Sequence, residues 1–68
     1  MSLIGNQLPE GLGFRLALDM EAMKSFVNLS DQGKEQVVDY IKGSTTGDEA
    51  KNRVTEVVRN LHNSGSLH

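Results

Sequence analysis

Apolar residues recur at helical spacing along most of the chain, and the pattern is clearest near its end. After Thr46, the apolar residues are spaced by four, three, one and three positions and form one stripe of a helix: Ala50, Val54, Val57, Val58 and Leu61. Thr46 and Glu49 have the spacing of a capping box, in which Thr46 accepts from the Glu49 amide and Glu49 reaches back to the Thr46 amide. The pattern predicts a helix over residues 47–62 that ends before Gly65.

Two further helices are predicted upstream, each preceded by a good N-cap residue. Asp19 precedes a short apolar stripe, which predicts a helix over residues 20–28. Ser30 precedes a second one, whose inner stripe contains Val37, Val38, Ile41 and the stem of Lys34 and which stops at Gly43, predicting residues 31–42. Because the link between the helix over 31–42 and the last helix is short, these two should be antiparallel neighbours and form a C-terminal helical hairpin.

Residues 8–18 fit two patterns. Apolar and polar residues alternate from Phe14 onward, which is typical of a strand. Leu8, Leu12 and Leu16 instead share one face of a helix, and Pro9 suits a helical first turn. No other segment alternates, so a strand here would have no partner for its backbone groups. We therefore favour a short helix over residues 9–18 and keep the extended form as the alternative.

The predicted fold is an all-α, small compact domain of three or four helices. We expect residues 1–7 to form a flexible leader, residues 8–62 a single helical domain, and residues 63–68 a flexible tail. The predicted core consists of these positions: Leu16, Met23, Phe26, Val27, Leu29, Val38, Ile41, Val54, Val57, Val58 and Leu61.

Composition narrows the classes of function. The 68 residues contain no cysteine, which excludes disulfides and zinc–thiolate sites and fits a cytoplasmic protein. No apolar run is long enough for a membrane span, and the first residues lack the pattern of a signal peptide. The net charge is −2 and there are three aromatic residues, which disfavours nucleic-acid binding.

Several stretches of the sequence also resemble a known protein family. The stretch 16–30, followed by Lys34, residues 38–41, residues 49–54 and Leu61, is similar to the C-terminal helical region of the YdeI/OmpD-associated (bacteriocin-protection) family. The opening residues 8–13 look like those of small stand-alone proteins of Gram-positive gut bacteria. Residues 42–50 depart from the basic stretch usual in the family. The resemblance implies a bacterial helical domain and no defined activity, so no residue role is carried over.

Candidate catalytic and metal-binding residues are few. His62 and His68 stand near the end of the chain with no third ligand spaced to join them, so both are expected to be solvated. Glu35 and Asp39 share an exposed helix face, which is typical of solvation rather than acid–base work. No glycine cluster matches a phosphate or dinucleotide loop. We expect no enzyme activity, no metal and no cofactor.

Two functional hypotheses follow. The first is a non-enzymatic protein-interaction or accessory module, monomeric on its own, with Leu12, Met20 and Met23 as candidates for the partner surface. The alternative is a weak nucleic-acid-binding regulator that uses Lys51, Arg53 and Arg59 of the last helix, although Glu49 and Glu56 are spaced to pair with the two arginines. The glycine-containing residues 8–13 and the Met20/Met23 face have no assigned role and are where we expect a partner site.

Overall fold

A computed structural model describes residues 9–66, and these residues form four helices and no strand. The helices are α1 (Glu10–Ala17), α2 (Met20–Asn28), α3 (Asp31–Lys42) and α4 (Gly47–Ser66). The all-α prediction is confirmed, and the first segment forms the favoured helix rather than the extended alternative. Residues 1–7, predicted as a leader, lie outside the described residues.

The last helix is longer than predicted, since α4 continues to Ser66 rather than ending near His62. Gly65 therefore lies inside the helix and does not stop it. Glycine adopts the right-handed helical conformation as readily as the left-handed one, so a glycine near a helix end permits termination without enforcing it. Most of the stretch predicted as a flexible tail is helical.

Three N-caps form as the sequence predicts. The carboxylate of Asp19 accepts from the Ala22 amide at 3.1 Å, and the Ser30 hydroxyl accepts from the Gly33 amide at 3.1 Å. At the start of α4, Thr46 accepts from the Glu49 amide at 3.0 Å. Each cap satisfies a backbone N–H that has no partner within its helix.

The second half of the capping box differs from the prediction by one position. The Glu49 carboxylate accepts from both the amide (3.0 Å) and the hydroxyl (2.8 Å) of Thr45, rather than from the amide of Thr46. Both bonds lower the pKa of Glu49, and the bond from the Thr45 amide has the larger effect. The side chain thus ties down the link between α3 and α4.

The core lies where the valine stripe of α4 meets the other helices. It consists of Leu12, Leu16, Ala22, Phe26, Ile41, Val54, Val57, Val58 and Leu61, with Leu29 and Val37 packed against it. The predicted hairpin is present: near the end of α3, Tyr40 contacts Arg53 and Glu56, whereas Gly33 near its start lines the same groove as Leu61, so the two helices are antiparallel. The larger contact of α4, however, is with α2.

The prediction that Met23 and Val27 belong to the core is wrong, because both are exposed. The apolar residues of α2 span about 160° of its circumference, and the packed face buries only part of that arc. The buried face is set by Ala22 and Phe26, one turn apart, with Leu29 a turn further on. The small side chain of Ala22, which is fully buried, lets α2 approach its neighbours closely, and the side with Met20, Met23 and Val27, about 110° around the helix, is left facing solvent.

Candidate protein-binding surface

The exposed side of α2 carries a row of large apolar side chains. Met20 is 73% exposed, Met23 36% and Val27 52%. The three are spaced by three and four residues, so they lie along one side of the helix. We call Met20, Met23 and Val27 the α2 outer face. Two of the three predicted partner-surface residues, Met20 and Met23, belong to it.

The third predicted residue, Leu12, is not on the surface. It is fully buried and belongs to the core. Leu12 and Leu16 are one turn apart on α1, and this pair packs inward. The exposed apolar residues of the first helix region are instead Phe14 and Leu18, which point away from the buried pair.

The basic residues of α4 do not form one surface. At 3.6 residues per turn, Lys51 and Arg53 point about 160° apart, and Lys51 and Arg59 about 80° apart. Arg53 is engaged: it donates to the Glu49 carboxylate at 2.7 Å and to the Tyr40 carbonyl at 2.6 Å. The structure therefore brings together no cluster of three cations on this helix.

Arg53 and Tyr40 form a contact between α4 and α3 that the sequence did not predict. The guanidinium carbon of Arg53 lies 4.7 Å from the centre of the Tyr40 ring, within the range of a cation–π contact. The Tyr40 hydroxyl donates to Glu56 at 2.6 Å, and this bond raises the pKa of Tyr40. The predicted pairing of Glu56 with Arg59 is thus replaced by a bond across the hairpin, whereas the Glu49–Arg53 pair is confirmed.

His62, expected to be a solvated histidine, contacts the start of α2. Its Nδ1 donates to both carboxylate oxygens of Asp19, at 3.0 and 3.1 Å. This hydrogen bond is the main cause that lowers the pKa of Asp19 and raises the pKa of His62. The same carboxylate caps α2, so the pair joins the N-terminus of α2 to the end of α4.

We expect this pair to make stability depend on pH. Because the pKa of His62 is raised above its ordinary 6.5, the pair stabilises the fold fully below pH 6.5, and the gain is lost as pH rises through the raised value. Because the pKa of Asp19 is lowered below 3.8, its contribution is lost as pH falls through that lowered value. The melting temperature, followed by circular dichroism, should fall from about pH 6 to pH 8.

The controls use the two histidines. His62→Gln should flatten the decline in melting temperature above pH 6, and His68→Gln should leave it as in the wild type. An unchanged decline in the His62 variant would contradict the role of the pair.

Within residues 9–66 there is no group of three acidic or histidine side chains that could hold a metal ion. None of the four helices combines the length and the apolar character that crossing a membrane requires. The chain is a small all-α domain that carries the α2 outer face as a row of exposed apolar side chains. Comparison with protein-family models, with curated proteins and with solved structures finds no match to it.

Proposed function

We propose that this chain is a small non-enzymatic protein-interaction or accessory module that binds a partner protein through the α2 outer face. The observation that carries the proposal is the exposure of Met20, Met23 and Val27 in one row on α2, beside the face with Ala22 and Phe26 that packs into the core. Single exposed apolar residues are common, but a row of them at helical spacing is typical of a binding surface.

The composition of the face suits a partner that is itself apolar. Complete burial of such a side chain from full exposure contributes about 1.5–3 kcal/mol. Because the three are 36–73% exposed, each can contribute a part of that amount to a binding free energy. Methionine is unbranched and adapts to an irregular partner surface. Exposed polar residues, Glu21 and Lys24, lie beside the apolar row, and an apolar centre with a polar rim is the usual anatomy of an interface.

The proposal also places the protein in the cytoplasm of a bacterium. The absence of cysteine supports a cytoplasmic location, and the resemblance to the helical region of the YdeI/OmpD-associated family supports a bacterial origin. Nucleic-acid binding by Lys51, Arg53 and Arg59 stays the alternative, and the engagement of Arg53 by Glu49 and Tyr40 weighs against it.

The proposal is tested by affinity capture from host lysate with the full chain as bait. We compare the wild type with Met20→Glu/Val27→Glu, which places two charges on the α2 outer face. The matched control, Gln32→Glu/Asn52→Glu, adds the same two charges at exposed positions on α3 and α4. All three baits are first shown to be folded by circular dichroism.

We expect a partner protein that is retained after nuclease treatment and in about 1 M salt, where the Debye length is only about 3 Å. Its recovery should fall about tenfold or more with the α2 double variant, equivalent to about 1.4 kcal/mol, and stay unchanged with the control. Equal recovery with both variants would contradict the proposed surface. Capture that disappears with nuclease and salt would favour the nucleic-acid alternative.

A further inference from the structure

A groove separates α1 from the first turns of α4. Its volume is about 500 Å³, within the range of binding sites for small molecules and side chains. Its lining includes Gly11, Phe14 and Arg15 from α1, Ile41 from α3, and Gly47, Lys51 and Val54 from α4. No residue of α2 lines it, so this α1–α4 groove is distinct from the α2 outer face.

Small residues keep the groove open over an apolar floor. Ile41 and Val54 are buried beneath it, and Phe14 is exposed at its side. A Cβ atom at Gly47 would meet nothing within 4 Å, and one at Gly11 would meet only a methyl group of Val54, at 3.9 Å. Neither position needs glycine for the fold, because neither is crowded nor has a positive φ.

Two cations stand together in the lining. Arg15 donates to the Thr55 hydroxyl at 3.2 Å, and that hydroxyl donates to the carbonyl of Lys51 at 3.1 Å. Arg15 is thereby held one helical turn along α4 from Lys51. Neither cation forms an ion pair with any residue that the structure describes. In a chain of net charge −2, this lining is positively charged and selects an acidic occupant.

We propose that the α1–α4 groove docks a peptide segment in which apolar side chains stand next to acidic ones. The inference rests on the proposed function, since it takes the partner to be a protein, and it assigns that partner a second contact of stated chemistry. A site for a small molecule normally presents a few buried polar groups that fix the ligand. Among the described residues no buried polar side chain exists, and an apolar floor with cations in its lining is instead the arrangement of a peptide interface.

The probe is a random peptide library displayed on phage and selected on the full chain. We expect enriched peptides to combine apolar residues with Asp or Glu and to bind in solution with an affinity that decreases as salt rises. Enrichment of basic peptides, or no enrichment, overturns the proposal.

Variants then locate the bound peptide. Gly11→Leu extends a side chain into the groove and should weaken binding about tenfold or more. Gly13→Leu makes the same change on the same helix. Gly13 does not line the groove, and a Cβ atom there meets nothing within 4 Å, so binding should be unchanged. Equal binding to both overturns the groove as the site.

Charge reversal gives the second pair of variants. Lys51→Glu should weaken the selected peptide about three- to tenfold, whereas Lys24→Glu on α2 should not. The double variant Met20→Glu/Val27→Glu should also leave this binding unchanged. If the groove variants do not affect peptide binding but the α2 double variant still abolishes partner capture, this inference fails and the proposed function stands. If the groove variants weaken peptide binding but the α2 double variant leaves capture unchanged, the proposed function fails instead.

Discussion

Phe26→Ala should lower the free energy of unfolding by about 3–5 kcal/mol. Phe26 is 1% exposed and is among the largest fully buried side chains of the core, so its removal leaves a cavity between α2 and α4. At about 0.05–0.15 kcal/mol per residue, a domain of this size has a total stability of about 3–10 kcal/mol, and the variant should be marginal or unfolded at room temperature. Urea unfolding followed by circular dichroism measures the change.

The matched control is Phe14→Ala, because Phe14 is 66% exposed. The same chemical change there should alter the free energy of unfolding by less than about 0.5 kcal/mol. Similar losses for both variants would show that the core is not where the structure places it.

Val58→Asp should abolish cooperative folding. Val58 is buried in the stripe of α4 that contacts the other helices, and a carboxylate there would lose its hydration without gaining a partner. The cost of an unpaired buried charge is several kcal/mol, comparable to the whole stability of the domain. The expected observation is loss of the helical circular dichroism signal at neutral pH.

Val27→Asp provides the comparison on α2. The sequence pattern assigns Val27 to the core, whereas the structure places it half-exposed on the α2 outer face. We therefore expect Val27→Asp to stay folded, with a loss of at most about 1 kcal/mol. A Val58→Asp protein that melts like the wild type, or an unfolded Val27→Asp protein, would contradict the assignment of the two valines.

Much of the secondary structure follows from local rules in the sequence. The caps at Asp19, Ser30 and Thr46 act within three residues, so residue types at fixed spacing predict where α2, α3 and α4 begin. The end of α4 was not predictable in this way, because Gly65 is compatible with either continuation or termination of a helix.

Tertiary features were harder to predict. Which side of α2 faces the core depends on its packing against α4, and apolar spacing alone does not distinguish Ala22 from Met23 as the buried residue. Pairs that join distant positions, Asp19 with His62 and Arg15 with Thr55, leave no local pattern in the sequence.

The candidate surfaces were predicted in part. Met20 and Met23 were named as a candidate surface because methionine adapts to a partner, although Met23 was also assigned to the core, and the structure shows both exposed. Leu12 was misassigned although its spacing from Leu16 already indicated a common buried face. The α1–α4 groove lies partly in the glycine-containing segment that the sequence left without a role, but its other wall comes from α4 and required the fold.

The free energy of unfolding of the triple variant Met20→Gln/Met23→Gln/Val27→Thr tests most directly whether the α2 outer face is free to bind a partner. Each change keeps the shape and helical preference of the side chain and removes its apolar end. We predict a loss of no more than about 1 kcal/mol in urea unfolding, because these side chains contribute little to the core. A loss of more than about 3 kcal/mol would show that they belong to the core, and the surface proposed for binding would not exist.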